Sequence, residues 1–176
     1  MSLDNALKFS GTASKLGRCV SVTPENSAMA YLCYGRVRLD KSCPAADFST
    51  EDRETALLCL QGSCVITVDG AAYDIGTYDA IYIPRGSRVS VTTTEAVDLI
   101  ECASKVTGDY PLQLIRYSDV QKDAALKFTA GGPSTTRHLN IIIGKNVQAG
   151  RILMGFTRSM PGHWTSWPPH EHTKLL

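Results

Sequence analysis

The stretch Val65-Ile66-Thr67-Val68-Asp69-Gly70-Ala71-Ala72-Tyr73 decides the fold class. Three β-branched aliphatic residues and a threonine, all with a preference for strands, lead into the dipeptide Asp69-Gly70. Asp-Gly is favoured in type I′ turns because both central residues of that turn take a positive φ. The stretch therefore predicts an antiparallel hairpin.

Similar short runs lie on both sides of the hairpin, rich in β-branched, Leu and Tyr residues and mostly separated by turn residues. One of them ends at Pro84, after which Gly86 turns the chain. Many short strands separated by turn signals indicate an all-β sandwich or small barrel. The predicted strands cover residues 18–23, 30–39, 56–60, 64–69, 80–83, 88–92, 97–102, 138–143 and 150–159.

One helix is predicted, over residues 118–128, with Ser118 or Asp119 as its cap and a thin apolar face. The Ala-Gly-Gly-Pro-Ser stretch at 130–134 has the composition of a loop. We therefore expect three parts in the chain. They are an N-terminal domain over 1–117, a linker over 118–135, and the beginning of a second, incomplete domain over 136–176.

Charge and hydropathy predict the compartment and exclude two classes of partner. The net charge is +1 and the basic residues do not cluster, so we expect no nucleic-acid partner. We expect no membrane partner, since no stretch approaches the roughly 20 apolar residues that a spanning helix needs. The first 15 residues lack the pattern of a secretory signal. Without such a signal, six irregularly spaced cysteines indicate reduced thiols and a cytoplasmic location.

The segment 161–173 carries the strongest chemical signal, because it contains three of the four histidines of the chain. His170 and His172 are spaced so that both imidazoles face the same side if they lie on a strand, whereas Glu171 faces the other side. Two neutral imidazoles on one side form half of a transition-metal site. The alternative is a pair of partly exposed histidines with no ligand.

The stretch Pro161-Gly162-His163-Trp164-Thr165-Ser166-Trp167-Pro168-Pro169-His170-Glu171-His172 resembles a motif in the second half of the 5-deoxy-glucuronate isomerase family of inositol breakdown. It is also similar to the 4-deoxy-L-threo-5-hexosulose-uronate ketol-isomerases of pectin breakdown. The resemblance extends to residues 67–82 and 137–157 and implies a cupin-type, two-domain β protein. It implies that His170 and His172 are ligands of a divalent metal, which would be Zn, Mn or Fe.

The sequence departs from this family pattern in both halves. In the family, a glutamate ligand follows the His pair after four residues and a third histidine comes later, whereas this sequence stops at Leu176. We therefore expect a truncated chain that holds metal weakly or not at all and is inactive alone. A metal-binding cupin would also carry histidines near 51–59 and 89, where this chain has Glu51-Asp52-Arg53-Glu54 and Val89. We interpret those charges as a solvated run and the first half as a metal-free scaffold.

Three further residues are candidates for substrate binding. Arg158 is a candidate partner for a substrate carboxylate, although a solvated arginine at a strand end is the plainer interpretation. Trp164, with Trp167, could stack on a sugar or cover a core. His163 lies beside the motif but off its spacing, whereas His138, alone on an apolar strand, is interpreted as structural.

The resemblance implies an aldose–ketose isomerisation of a deoxy-uronic acid, in which a proton moves between neighbouring carbons through an enediolate. Such a reaction needs a general base, which the sequence does not identify. A non-catalytic cupin module that binds a sugar acid or assembles with itself is the alternative, and a metal-dependent dioxygenase or epimerase on the same fold is a third hypothesis. Unpaired strand edges would favour a homo-oligomer.

Overall fold

A computed structural model describes residues 8–165, which form thirteen strands and one short helix. The elements are β1 Gly17–Val22, β2 Cys33–Leu39, β3 Ala45–Ser49, β4 Arg53–Gln61, β5 Cys64–Val68, β6 Ala71–Ile75, β7 Ala80–Ile83, β8 Arg88–Thr92, β9 Val97–Lys105, β10 Gln113–Ile115, α1 Tyr117–Val120, β11 Lys127–Ala130, β12 Arg137–Ile143 and β13 Met154–Ser159.

The predicted hairpin is confirmed as β5 and β6. Val68 pairs with Ala71 in an antiparallel register, which leaves Asp69 and Gly70 as the two turn residues. Both have a positive φ, 48° for Asp69 and 91° for Gly70, as a type I′ turn requires. The hairpin belongs to a four-stranded sheet in the order β3-β8-β5-β6.

This small sheet packs face to face on a six-stranded sheet in the order β1-β2-β9-β4-β7-β10. Alternate residues of each strand point into the space between the sheets, which is filled by aliphatic side chains. Ile66 and Val91 from the small sheet meet Val37, Leu57 and Leu99 from the large one, and all five are fully buried. The fold is the cupin-type β-sandwich that the sequence predicts.

The outer face of the six-stranded sheet is covered by the later part of the chain. A three-stranded sheet, β11-β12-β13, and helix α1 supply the covering residues. Ile142 and Met154 pack here against Ala56, Leu58 and Tyr82. Strand β4 is consequently buried on both faces, which explains its continuous apolar run, and the segment after residue 135 is anchored on the first sandwich.

The predicted helix over 118–128 is wrong in its extent. Only α1 forms, because the chain turns at Gln121–Asp123 and then enters β11, in which Phe128 pairs with Leu139. The three strands β3, β10 and β11 were not predicted. The division at 118–135 stays a prediction, although Val120 and Leu126 from this segment are buried in the second core.

The six cysteines are free, as predicted for reduced thiols, and Cys33 and Cys59 are buried as small core residues. Burial raises the pKa of Cys59 to about 11 and that of Cys64 to about 12. Both side chains therefore stay neutral thiols at physiological pH. Over the described residues, no helix is long and apolar enough to cross a membrane.

Candidate functional site

The segment that leads toward the His pair folds back on the ends of β12 and β13. Trp164 N–H donates to the Ser134 carbonyl over 2.8 Å. The Arg137 guanidinium donates to the Thr165 carbonyl over 2.8 Å, and the Thr165 and Ser159 hydroxyls lie 3.1 Å apart. These contacts attach residues 164 and 165 to the ends of β12 and β13. His170 and His172 lie outside the described residues.

His163 and Trp164 share this turn but differ in their surroundings. The His163 N–H donates to the Met160 carbonyl over 3.0 Å, and its Nδ1 is covered without a hydrogen-bond partner among the described residues. More than half of the Trp164 side chain is exposed. An exposed indole is available to stack on a sugar ring, whereas it contributes little to a core.

Arg158 lies on an aromatic platform. Its guanidinium carbon is 4.9 Å from the centre of the Tyr78 ring and 5.7 Å from that of Phe156. In the described part of the chain, no carboxylate pairs with it and no hydrogen bond occupies its donors. The cation–π contact therefore holds the guanidinium in place while leaving its donors free for an anion.

Tyr78, which forms part of this platform, has an unusual backbone conformation. Its φ of 70° lies in the left-handed region, which a bulky residue rarely adopts. The ring stacks on Phe156 at 4.6 Å between centroids and meets the edge of Tyr117 at 5.2 Å. These contacts link the turn before β7 to β13 and offset the strain in the backbone.

The two faces of the three-stranded sheet separate the candidate residues. Arg158 pairs in register with His138, so both side chains lie on the face toward the first sandwich, and Thr129 Oγ1 is 3.0 Å from His138 Nδ1. Arg137 and Ser159 point to the opposite face and contact Thr165. The structure therefore places Arg158 beside Tyr78 and sets His163 and Trp164 in the turn beyond the strand ends.

The interpretation of residues 51–54 as a solvated charge run is wrong for Glu54. Its carboxylate is fully buried and accepts four hydrogen bonds. Oε2 accepts from the Tyr82 hydroxyl at 2.6 Å and from the Gly150 N–H at 2.7 Å, and Oε1 accepts from the N–H groups of Arg151 and Ile152 at 2.6 and 2.9 Å. Glu54 thus ties β4 to the loop that leads into β13.

Glu101 is a second buried carboxylate that the sequence did not reveal. Only 2% of its side chain is exposed, and both of its oxygens accept from Arg18 at 2.7 Å. Arg18 also lies over the Phe48 ring, 4.1 Å from its centre. Glu101 lies on the same face of β9 as the core residue Leu99, so the Arg18–Glu101 ion pair closes the end of the apolar interior of the sandwich.

The described residues contain no group of three or more His, Cys, Asp or Glu side chains arranged to hold a metal. The space between the two sheets is occupied by aliphatic side chains, among them Val89, at the position where the metal-binding pattern would need a histidine. The metal-ligand prediction for His170 and His172 consequently rests on the sequence pattern.

Comparisons with known proteins agree with this architecture. The KduI/IolB family model matches residues 7–175. The 4-deoxy-L-threo-5-hexosulose-uronate ketol-isomerase of Pectobacterium carotovorum is 25% identical over 138 residues, which cover 74% of this chain and 48% of that protein. The enzyme of the same name from Escherichia coli strain SE11 is 30% identical over 135 residues, covering 72% of this chain and 46% of that one.

A solved structure supports the same fold. The IolB-like protein of Salmonella typhimurium LT2 superposes with a TM-score of 0.78 and 20% identity, covering 89% of this chain and 61% of that chain. The chain spans about half the length of the curated relatives that it matches. Because the family match extends over nearly all of the sequence, including the HxH segment, the chain belongs to the KduI/IolB family.

Proposed function

We propose that this chain is part of a metal-dependent ketol-isomerase that interconverts the aldose and ketose forms of a deoxy-uronic acid, 5-deoxy-glucuronate or a close relative. The observation that carries the proposal is the family match over residues 7–175, which includes the His170–His172 pair. The names of the similar enzymes from Pectobacterium and Escherichia coli support the same reaction class.

In this proposal, His170 and His172 hold a divalent Zn, Mn or Fe ion. The bound metal would supply a Lewis acid that stabilises the oxyanion of the enediolate. A catalytic metal site has at least three protein ligands, and this sequence supplies two at the expected spacing. We therefore propose that the chain alone binds metal weakly and converts little or no substrate.

Arg158 is the proposed partner of the substrate carboxylate. The Tyr78 and Phe156 rings hold its guanidinium, and a planar guanidinium with free donors can bind a carboxylate through two parallel hydrogen bonds. Trp164 is proposed to stack on the sugar, and His163 offers a covered Nδ1 that lacks a partner among the described residues. All three residues stay proposals for substrate binding.

The direct test is conversion of 5-deoxy-glucuronate and of 4-deoxy-L-threo-5-hexosulose-uronate by the purified protein. The assay is run with excess Zn²⁺, Mn²⁺ or Fe²⁺, since two imidazoles bind metal weakly, and again after treatment with EDTA. Metal-dependent conversion that His172→Ala abolishes and His138→Ala preserves would support the isomerase. His138 is the matched control because it is an exposed histidine already bonded to Thr129.

A non-catalytic module that binds a sugar acid is the second candidate. The observation that favours it is the apolar filling of the first sandwich, together with the lack of a metal-ligand group in residues 8–165. Saturable binding of either sugar acid that added metal does not strengthen, and that His170→Ala and His172→Ala leave unchanged, would support this candidate over the isomerase. Loss of that binding in Arg158→Met would locate the carboxylate at the proposed residue.

Location and assembly are proposed on structural grounds as well. Free cysteines with buried, neutral thiols support a reducing, cytoplasmic compartment. Strand β13 pairs with β12 on one side and with no described strand on the other, and such an edge can pair with a second copy. We therefore propose a homo-oligomer. A clean monomer in size-exclusion chromatography at high concentration would contradict it.

A further inference from the structure

We propose that the cleft between the segment before β2 and the loop before β13 binds a small carboxylic acid with an apolar body. The cleft has a volume of about 410 Å³ and opens on the outer face of the six-stranded sheet. Cys102 and Ser104 of β9 line it, with Tyr31 and Leu32 on one side and residues 151–153 on the other. The inference does not rest on the isomerase proposal.

The walls of the cleft are mostly apolar and unusually exposed. Tyr31 is 65% exposed, Leu153 is 77% exposed and Leu32 is 37% exposed. Small-molecule sites are concave regions of this size, lined by apolar and aromatic side chains with a few polar groups that orient the ligand. The lining therefore suits a ligand with an apolar body.

The cleft also contains a cation without an anionic partner. The Arg151 guanidinium lies over the Tyr31 ring, 4.4 Å from its centre. No carboxylate of the described residues forms an ion pair with this guanidinium, and no acidic residue lines the cleft. Cys102 adds no negative charge, since burial raises the pKa of its thiol to about 11. A carboxylate would supply the missing charge and accept two hydrogen bonds from the guanidinium.

Ser104 provides a second, independent sign of a ligand. The residue is 4% exposed, and its Oγ has no hydrogen-bond partner within residues 8–165. Buried hydroxyls nearly always have a partner, so an unpaired one calls for an explanation. A serine hydroxyl moves between staggered rotamers, and one that turns toward the cleft would reach an oxygen of a bound ligand. A ligand oxygen at this position would pair the hydroxyl.

The cleft is preformed because Glu54 holds the loop behind it. The Arg151 N–H and the Ile152 N–H donate to the buried Glu54 carboxylate at 2.6 and 2.9 Å. The anchor uses the backbone of Arg151, whereas the proposed ligand contact uses its side chain. A substitution of Arg151 therefore removes the ligand contact and keeps the loop in place, which makes the proposal testable in a folded protein.

The test is an NMR titration of the ¹⁵N-labelled chain with 3-phenylpropionate, compared with its neutral analogue 3-phenylpropanol. We expect saturable shifts in residues 31–32, 102–104 and 151–153, and at least tenfold weaker binding of the alcohol. Arg151→Met should weaken binding of the acid at least tenfold and leave the alcohol unchanged. Ser104→Ala should weaken binding of the acid severalfold without loss of fold.

Arg88→Met is the control, because Arg88 is an exposed arginine of β8 on the four-stranded sheet, away from the cleft. It should leave the shifts in the cleft unchanged. Equal binding of acid and alcohol, an unchanged affinity in Arg151→Met, or shifts that occur only outside the cleft would overturn the proposal. Self-association that Leu153→Asp abolishes, with no effect of the acid, would assign the surface to a second copy and overturn the proposal as well.

Discussion

Replacement of Glu54 by glutamine tests the buried connection between β4 and the loop before β13. Each carboxylate oxygen accepts two hydrogen bonds, and the carboxylate and the Tyr82 hydroxyl are buried, whereas the three backbone donors lie in a partly exposed loop. Glutamine has nearly the same shape but offers one oxygen, and its amide NH₂ would face two donors. The burial of the Tyr82 hydroxyl and its bond to Glu54 raise the pKa of that tyrosine, so it stays a neutral hydroxyl. Its oxygen can accept from the glutamine amide once the hydroxyl proton rotates away, whereas the Gly150 N–H can only donate and is left unpaired.

The expected magnitude follows from the Gly150 bond, which glutamine cannot accept, and from the Tyr82 bond, which becomes a bond between neutral groups. A hydrogen bond to a charged group contributes about 1.5–3 kcal/mol and a neutral one about 0.5–1.5 kcal/mol, so the substitution lowers the free energy of unfolding by about 2–4 kcal/mol. Glu54→Ala removes the acceptor of all four donors and should cost at least as much. Domains of this kind have about 5–15 kcal/mol of stability in total, so either loss is a large and measurable share of it.

Urea denaturation followed by circular dichroism measures the change. Glu51→Gln is the matched control, since Glu51 belongs to the same acidic run but is exposed, and it should change the free energy of unfolding by less than about 0.5 kcal/mol. Equal denaturation midpoints for Glu54→Gln and Glu51→Gln would refute the reasoning. An altered slope with an unchanged midpoint would indicate a change in the denatured state instead.

Three further predictions concern the rest of the fold. Tyr78→Gly should lower the free energy of unfolding by about 1–3 kcal/mol, because the lost ring contacts outweigh the relief of the left-handed backbone. Tyr78→Phe, which keeps the ring, should lie within about 0.5 kcal/mol of wild type by urea denaturation. Glu101→Gln should lower the unfolding free energy by about 1–3 kcal/mol because it breaks the bidentate pair with Arg18; Arg18→Lys should retain part of that energy, and no loss in either variant would contradict the assignment. Cys59 and Cys64, whose pKa values are raised to about 11 and 12, should resist iodoacetamide at pH 8 until the chain unfolds, and rapid labelling of the folded chain would contradict this. The contribution of the two neutral thiols to stability is present below pH 9.0, the unfolded pKa, and should be lost as the pH rises toward 11–12.

The β5–β6 hairpin was predictable because its signals are local. The run of strand-favouring residues 65–68 and the Asp-Gly turn lie within nine residues of each other, and no distant contact overrides them. The strands over 80–83 and 88–92 have the predicted bounds for the same reason. Local turn chemistry and strand preference were sufficient for these elements.

The region 118–130 was mispredicted because its structure is determined by contacts with distant parts of the chain. Lys127 and Ala130 are poor strand formers and only Phe128 and Thr129 favour a strand, yet all four residues form β11 through pairing with β12. The apolar residues Val120 and Leu126 are buried against the outer face of the first sandwich rather than along one helix face. Such tertiary contacts override a weak helical pattern.

Glu54 could not be recognised as buried from its neighbours in the sequence. It lies in an acidic run, and the backbone donors that accommodate it are 96 to 98 residues away. One signal was present, because Glu54 shares a strand face with Ala56 and Leu58, which are too apolar for a solvated face.

The claim that His170 and His172 are metal ligands is tested most directly by titration of the purified chain with Zn²⁺ in an isothermal calorimeter. We predict one weakly bound ion per chain, at least tenfold weaker binding in His170→Ala and in His172→Ala, and unchanged binding in His138→Ala. Zn²⁺ binding that persists with the same affinity after both His170 and His172 are replaced would contradict the metal site and, with it, the isomerase proposal.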